Sequence, residues 1–315
     1  MTMKLLFLTS GRYLPASRFR VHQYLPALQA AGHQCVVAPS IPPKYCGFPL
    51  LGNRGSEWPR RLFRLWDVLR AWRGDFDVVH LERELFSTDF VLVERLLRRV
   101  ARKLVLDVDD ALFALYPRKF ETLVGLSDCV IAGNPLLLKR VSALHPFTVE
   151  IPTVVDLDRY VPRPENAPVA ARPVIGWTGL AGNIPYLEIV APSLKELARQ
   201  FDFEFLVVAE DARPLGRLDL DGVRVRFAPW AEENEISVLQ ECDVGLMPLP
   251  DNDWTRYKCG LKLIQYMALG IAAIASPVGV NVDIARHGES GFLADTPSQW
   301  TECLTRLLTD AELRK

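Results

Sequence analysis

The chain has 315 residues, 49% hydrophobic and 24% charged, with a formal net charge of −1, the balance of a globular protein long enough for two domains. No apolar run reaches the roughly 18 residues of a membrane span. None of Cys35, Cys46, Cys129, Cys242, Cys259 and Cys303 forms a C-x-x-C pair or lies at zinc-ligand spacing from a histidine, so reduced, mostly buried thiols are the plain reading.

Lys4–Thr9 is apolar but too short for a signal peptide and reads as a first buried strand, which places the expected protein in the cytoplasm. The loop after it, Ser10–Arg20, carries Gly11, Arg18 and Arg20. These would hold an anionic acceptor, or would simply be exposed arginines on a helix over Ser17–Ala31. Strands are predicted at Gln34–Ala38, Asp77–Leu81, Lys103–Asp107, Cys129–Ala132 and Thr148–Ile151, with helices at Arg60–Trp72 and Val91–Arg102 between them. Arg54–Arg73 has six arginines against Glu57 and Asp67, with Trp58, Leu62, Leu65, Trp66, Leu69 and Trp72 at helical spacing. Two readings stand: an anionic membrane surface as partner, or a domain-packing helix with its arginines outward. The strand at Asp77–Leu81 runs into His80-Leu81-Glu82-Arg83-Glu84. His80 reads as a buried, hydrogen-bonded histidine, and Glu82 or Glu84 as a carboxylate able to orient or deprotonate a hydroxyl. Asp107-Val108-Asp109-Asp110 ends the next strand. A metal site is the weaker reading there; acceptor binding or helix capping by Asp110 is preferred.

Val161–Pro173 holds four prolines in thirteen residues, which neither a helix interior nor a central strand accepts. It is taken as a linker between a domain over residues 1–160 and another over 174–315. Charge changes sign across the chain. Residues 1–150 carry 21 Lys and Arg against 14 Asp and Glu, and residues 151–315 carry 16 against 24. The basic half suggests an anionic partner or a merely solvated surface.

After the prolines the rhythm restarts, with strands at Val174–Thr178, Glu204–Ala209, Val223–Phe227, Val244–Pro248, Ala272–Ser276 and Gly291–Ala294. Two doubly wound α/β domains follow from that alternation. Gly179 and Gly182, in the loop Gly176–Asn183, allow either close approach to a ligand or a tight turn. Beyond the Val244–Pro248 strand lie Arg256, Lys258 and Gly260. Gly260 opens a helix with Leu261, Ile264 and Met267 predicted on one face and Lys262 in its first turn. A helix N-terminus with lysines at a strand C-terminal end suits a diphosphate; exposed basic residues on a plain βαβ unit are the alternative.

The segment Gly260–Gly279, with Gln265-Tyr266-Met267-Ala268-Leu269-Gly270 and then Ala275-Ser276-Pro277-Val278-Gly279, resembles the donor-binding segment of family 4 glycosyltransferases of the GT-B fold. Ile151–Asp156, Asp243–Pro250, Asp283–Ala294 and Gly32-His33 resemble further family motifs in the same order. The resemblance implies two Rossmann-like domains facing each other across a cleft, the first for the acceptor and the second for the donor. It implies sugar transfer from a nucleotide-diphosphate sugar to a hydroxyl of a glycan or glycolipid, with retention, in cell-surface polysaccharide or glycolipid synthesis.

No cofactor, metal or nucleic acid is expected. Lys262, Arg256 and Lys258 would stabilise the leaving diphosphate. Gly179, Asn183, Gly260, Leu261 and Gln265 would contact the donor, and Trp230 and Glu232 its base, although Trp230 as a core aromatic fits equally. The family commonly has a histidine where Glu82 stands, and a pair of glutamates where Tyr257 and Gln265 stand. That departure leaves a catalytically inactive, nucleotide-sugar-binding protein as the alternative. Family members continue into a further helix, so a truncated C-terminus is expected.

Overall fold

The computed structural model describes residues 2–48, 50–164 and 171–314. The chain divides into two compact units: residues 1–153 with 257–259, and residues 154–256 with 260–315. The change-over falls at Thr153–Val154, ahead of the proline-rich segment. Tyr160, expected in the first domain, belongs to the second unit, where its hydroxyl donates to Glu235 Oε2 at 2.7 Å. Residues 165–170 of the expected linker lie outside the described residues.

The first unit is built on one parallel sheet of β1 (Lys4–Thr9), β2 (Gln34–Pro39), β3 (Val78–Glu82), β4 (Leu104–Val108), β5 (Cys129–Ala132) and β6 (Thr148–Glu150). The order is β2-β1-β3-β4-β5-β6, so the winding reverses between β1 and β3. Continuous apolar runs make these strands because helices cover both faces of a parallel sheet. Leu6, Leu8, Val79, Leu81, Leu106 and Val108 are all buried. The helix expected over Ser17–Ala31 is broken into Pro15–Arg20, a 3-10 turn His22–Tyr24 and Leu25–Ala30. Pro26 lacks the N–H that a continuous helix needs at that point.

The second unit repeats the plan with β7 (Val174–Thr178), β8 (Glu204–Ala209), β9 (Val225–Pro229), β10 (Val244–Met247), β11 (Ala272–Ala275) and β12 (Phe292–Leu293). Their order is β12-β11-β10-β7-β8-β9, the doubly wound order, with its reversal between β7 and β10. The helix Pro297–Thr309 starts with a capping box between Thr296 and Gln299 and buries Trp300, Cys303, Leu304 and Leu307 at helical spacing. The helix Leu261–Ala268 buries Leu263, Gln265 and Tyr266. The face expected inward, Leu261, Ile264 and Met267, is only partly covered.

The helix Glu57–Arg73 overturns the expectation of outward arginines. Arg60 and Arg64 are buried, while Trp58, Leu62, Trp66 and Trp72 are exposed. The side chain of Arg54 lies outside the described residues.

One buried ion pair lies deep in the first unit. Lys119 and Glu94 side chains are both fully buried and 3.1 Å apart. Lys119 Nζ also donates to the carbonyls of Phe86 (2.9 Å), Thr88 (3.0 Å) and Phe90 (2.8 Å). Removing one partner of such a pair strands a charge with no water to receive it. Lys119→Met should therefore destabilise the first unit by about 3–5 kcal/mol, read as a lowered urea midpoint.

Candidate functional site

In an open parallel sheet, ligands bind outside the strand C-terminal ends where the winding reverses. In the second unit that place lies between the ends of β7 and β10. The chain leaves β10 through a polar loop and enters the helix Leu261–Ala268 at Gly260, whose φ is +69°. A Cβ there would lie 2.3 Å from Ile284 Cδ1, so conformation and space both require glycine. No side chain caps this helix, and its first-turn N–H groups lack intrahelical acceptors.

Lys262, on that first turn, lies beside the end of β7. Its Nζ is 5.5 Å from the centroid of the Trp177 ring. Its Cε is 3.1 Å from where a Cβ of Gly179 would be. Gly179 and Lys262 are thus brought together, with Leu261 partly buried alongside in the same turn. Tyr266 pins the arrangement in a way that sequence reasoning missed. Its hydroxyl accepts from the Thr178 N–H and donates to the Leu246 carbonyl, both at 3.3 Å. Its ring occupies the space that a side chain at Gly245 would need. Gly182 has nothing within 4 Å of a built Cβ, so packing there does not require glycine. Asn183 is part-buried on the 3-10 segment Ala181–Ile189.

Gln265 and Trp230 converge on a carboxylate that the sequence did not single out. Gln265 Nε2 donates to Tyr160 Oη at 3.2 Å and to Glu235 Oε1 at 3.3 Å. Trp230 Nε1 donates to the same Oε1 at 3.1 Å. Trp230 is part-buried rather than a core residue, and Glu232 is part-buried on the same turn. Glu235 is buried; with its two oxygens shared among three donors, it orients both predicted donor-contacting side chains.

Arg256 is half-exposed and forms a two-point pair with Asp251, through Nε at 2.5 Å and Nη2 at 3.1 Å. Lys258 falls in a different unit from Lys262. It belongs with the first unit, its Nζ 3.7 Å from Asp110 Oδ1. The segment Tyr257–Cys259 is held there by the Tyr257 ring on Phe113 (centroids 4.8 Å apart) and by Asn134 Nδ2 donating to the Tyr257 carbonyl at 2.8 Å.

In the first unit the reversal lies between β1 and β3, and charge is concentrated at the strand ends. Glu82 is buried; its Oε2 accepts from Ser17 Oγ at 2.7 Å and from the Ser10 N–H at 3.4 Å. Burial pushes its carboxyl above the usual range, against the opposing pull of Arg83 and Ser17. Arg83 adopts φ +54°, a left-handed conformation that a non-glycine residue keeps only when its surroundings hold it. It pairs with Asp110 Oδ2 at 2.6 Å and Asp109 Oδ1 at 3.2 Å. Asp110 therefore serves as an ion-pair acceptor; the helix Leu112–Leu115 has no side-chain cap. Glu82 Oε1 is buried without a hydrogen bond, which is unusual for a native interior.

The arginines expected to face an anionic acceptor are buried. Arg18 and Arg20 are 6% and 7% exposed. Arg20 binds Asp107 through Nε and Nη2 and donates to the Ile151 carbonyl at 2.6 Å and to Thr153 Oγ1 at 3.3 Å. Most of its donors are thus taken up within the fold. Burial alone would push Asp107 up, but His80 and Arg20 overcome it and hold the carboxyl below the usual range. His80 is buried with Nε2 3.5 Å from Asp107 Oδ2. A Cβ on Gly11 would touch Pro43 Cβ at 3.0 Å, so that loop packs tightly on its neighbour.

Residues 172–310 match the family model described as Glycosyl transferases group 1. The matched residues span most of the second unit. Among solved structures, Anabaena Alr3699/HepE in complex with UDP-glucose matches at TM-score 0.66 and 18% identity, over 98% of this chain and 90% of that one. A glycosyltransferase from Rickettsia africae matches at TM-score 0.66 and 14% identity, over 99% and 90%. The lipopolysaccharide outer core galactosyltransferase WaaB matches at 0.53 and 12%, over 99% and 93%. At these identities the likeness is one of fold, and the fold is GT-B. No curated protein matches the GT-B chain by sequence.

The aspartates of the first unit give this GT-B chain a specific pH dependence. Burial pushes Asp109 up to about 6 from 3.8, with Arg83 opposing and Asp110 adding to the rise. The folded state then holds a proton that the unfolded chain has already released between about pH 4 and about pH 6. Stability from this group therefore falls as pH rises through that window. Asp109→Asn should remove that contribution. Urea midpoints of the variant relative to wild type should rise progressively from about pH 4 to about pH 6 and stay level above it.

Proposed function

We propose that the protein transfers a sugar from a nucleotide-diphosphate sugar to a hydroxyl acceptor. One observation carries this reading. Within the residues that match the glycosyl transferases group 1 model, Lys262 and the uncapped helix N-terminus after Gly260 lie beside Gly179 at the β7 end, where the sheet reverses. A diphosphate there would meet an ammonium group and first-turn N–H groups, which stabilise charge more as it develops on the leaving group.

In the proposed step, the acceptor oxygen bonds to the anomeric carbon as the carbon–diphosphate oxygen bond breaks. The hydroxyl proton passes to the departing diphosphate. Retention fits this course, because it asks for no strong protein nucleophile. Glu82 is assigned to orienting the acceptor hydroxyl, supported by its free Oε1 at the β3 end. Trp230, Glu232 and Gln265 are assigned to the nucleoside, with Glu235 holding Trp230 and Gln265 in position. Arg256 supports the diphosphate if it exchanges Asp251 for phosphate, since an exposed pair of this kind is weakly held. Lys262 and the helix N-terminus already supply positive charge, so no metal is assigned.

HepE is solved with UDP-glucose, which makes a uridine nucleotide the first donor class to try. WaaB is a lipopolysaccharide galactosyltransferase. Cell-surface polysaccharide or glycolipid is accordingly the product class assigned here.

The second reading is a protein that binds the nucleotide sugar without turning it over. Two placements favour it: Gln265 is turned into the Glu235 network, and the Tyr257 ring is packed on Phe113. Both readings expect UDP to raise the melting temperature; only the first expects release of UDP from a UDP-sugar. Lys262→Ala should lower kcat for donor turnover by roughly 10²–10³ while weakening UDP binding much less. Turnover at the wild-type rate in that variant would remove Lys262 from the leaving-group role. Binding without turnover in wild type would establish the second reading.

A further inference from the structure

The helix Glu57–Arg73 is turned the opposite way from an ordinary surface helix. Its buried side carries arginines. Arg64 Nη2 donates to the Thr9 carbonyl at 2.6 Å and Nη1 to that of Ala38 at 3.0 Å. Arg60 Nη2 donates to the Cys46 carbonyl at 2.7 Å. These carbonyls lie at the ends of β1 and β2 and in the loop beyond. Rotating the helix would break these bonds and strip the buried guanidinium groups of their acceptors, so the orientation is held from below.

The outward side is consequently apolar. Trp58, Leu62, Leu65, Trp66 and Trp72 are 71%, 64%, 41%, 59% and 64% exposed, and their spacing puts them on one stripe. We propose that this stripe docks the protein on the surface of an anionic phospholipid bilayer, with the tryptophans at headgroup depth.

Charge selects the occupant. The helix has five arginines against two acids, and both acids are already matched. Glu57 pairs with Arg60, and Asp67 with Arg64 and Arg70. Cations frame the stripe at both ends: the Arg61 guanidinium lies 5.6 Å from the Trp58 ring and that of Arg73 lies 5.9 Å from the Trp72 ring. The helix Leu92–Val100 packs against this one and adds exposed Arg95 and Arg99. Indole beside guanidinium suits the headgroup layer, where ring and phosphate are both available. A second copy across a two-fold axis would set this cationic rim against itself. Among the described residues no helix is long and apolar enough to cross a membrane, so the contact is interfacial.

The inference stands independently of the glycosyl-transfer reading and is tested without turnover. The full chain is mixed with phosphatidylcholine vesicles with or without phosphatidylglycerol, and bound protein is read by flotation. Wild type should float with the anionic vesicles, with tryptophan emission shifted to the blue. The triple variant Trp58→Ser, Trp66→Ser, Trp72→Ser should retain its far-UV circular dichroism and lose roughly tenfold or more of its binding. Arg73→Gln with Arg95→Gln and Arg99→Gln should lose the preference for anionic lipid. Wild type that fails to float overturns the proposal, as does a triple variant that floats equally well. A wild-type dimer dissolved by the tryptophan variants, with no lipid binding, would assign the face to a second copy instead.

Discussion

The entry to the helix Leu261–Ala268 in the second unit depends on the chain having no side chain at Gly260. Its left-handed turn lets the loop from β10 enter the helix Leu261–Ala268 directly against Ile284, where a Cβ would stand 2.3 Å from Cδ1. Gly279 meets a matching limit, since its Cβ would lie 2.2 Å from the Arg256 carbonyl oxygen. Two backbone segments thus pass where no side chain fits, and the helix N-terminus is set beside the β7 end. Tyr266 then fixes the helix angle by bonding to strands β7 and β10 at once. Lys262 inherits its position from those contacts, and its placement follows from backbone geometry more than from any contact of the lysine itself.

The first unit solves a different problem. Its strand ends carry Glu82, Arg83, Asp107, Asp109 and Asp110 in a largely water-excluded place. Burying such groups is tolerable only when each finds a partner. Arg20 neutralises Asp107, and Arg83 serves Asp109 and Asp110 from a strained backbone position. Glu82 Oε1 is one place where this matching stops.

The strands were legible in the sequence because a buried parallel strand needs only a short apolar run flanked by turn residues, a property of near neighbours in the chain. The helix Glu57–Arg73 was legible as amphipathic, but not which face it buries. Its two stripes are each coherent. The choice was made by carbonyls at Thr9, Ala38 and Cys46, up to 55 residues away, that accept from the buried arginines. The same limit explains Arg20. Beside Arg18 in a loop after a strand it reads as an anion binder, and only the approach of Asp107, 87 residues on, shows it to be structural. Glu235 carried no sequence signal, since a lone glutamate at a helix start is ordinary until Trp230, Gln265 and Tyr160 are seen to share it.

By itself the sequence determined the α/β rhythm, the doubling of that rhythm, and the glycine-opened helix with Lys262 in its first turn. Each follows from residues within a few positions of one another. Only the tertiary structure decided the strand orders that set β7 beside β10 and β1 beside β3. It also decided the partners of the buried charges and the outward turn of the tryptophans. Those depend on pairings between distant segments, where one carbonyl or carboxylate without a partner costs more than any local preference can return.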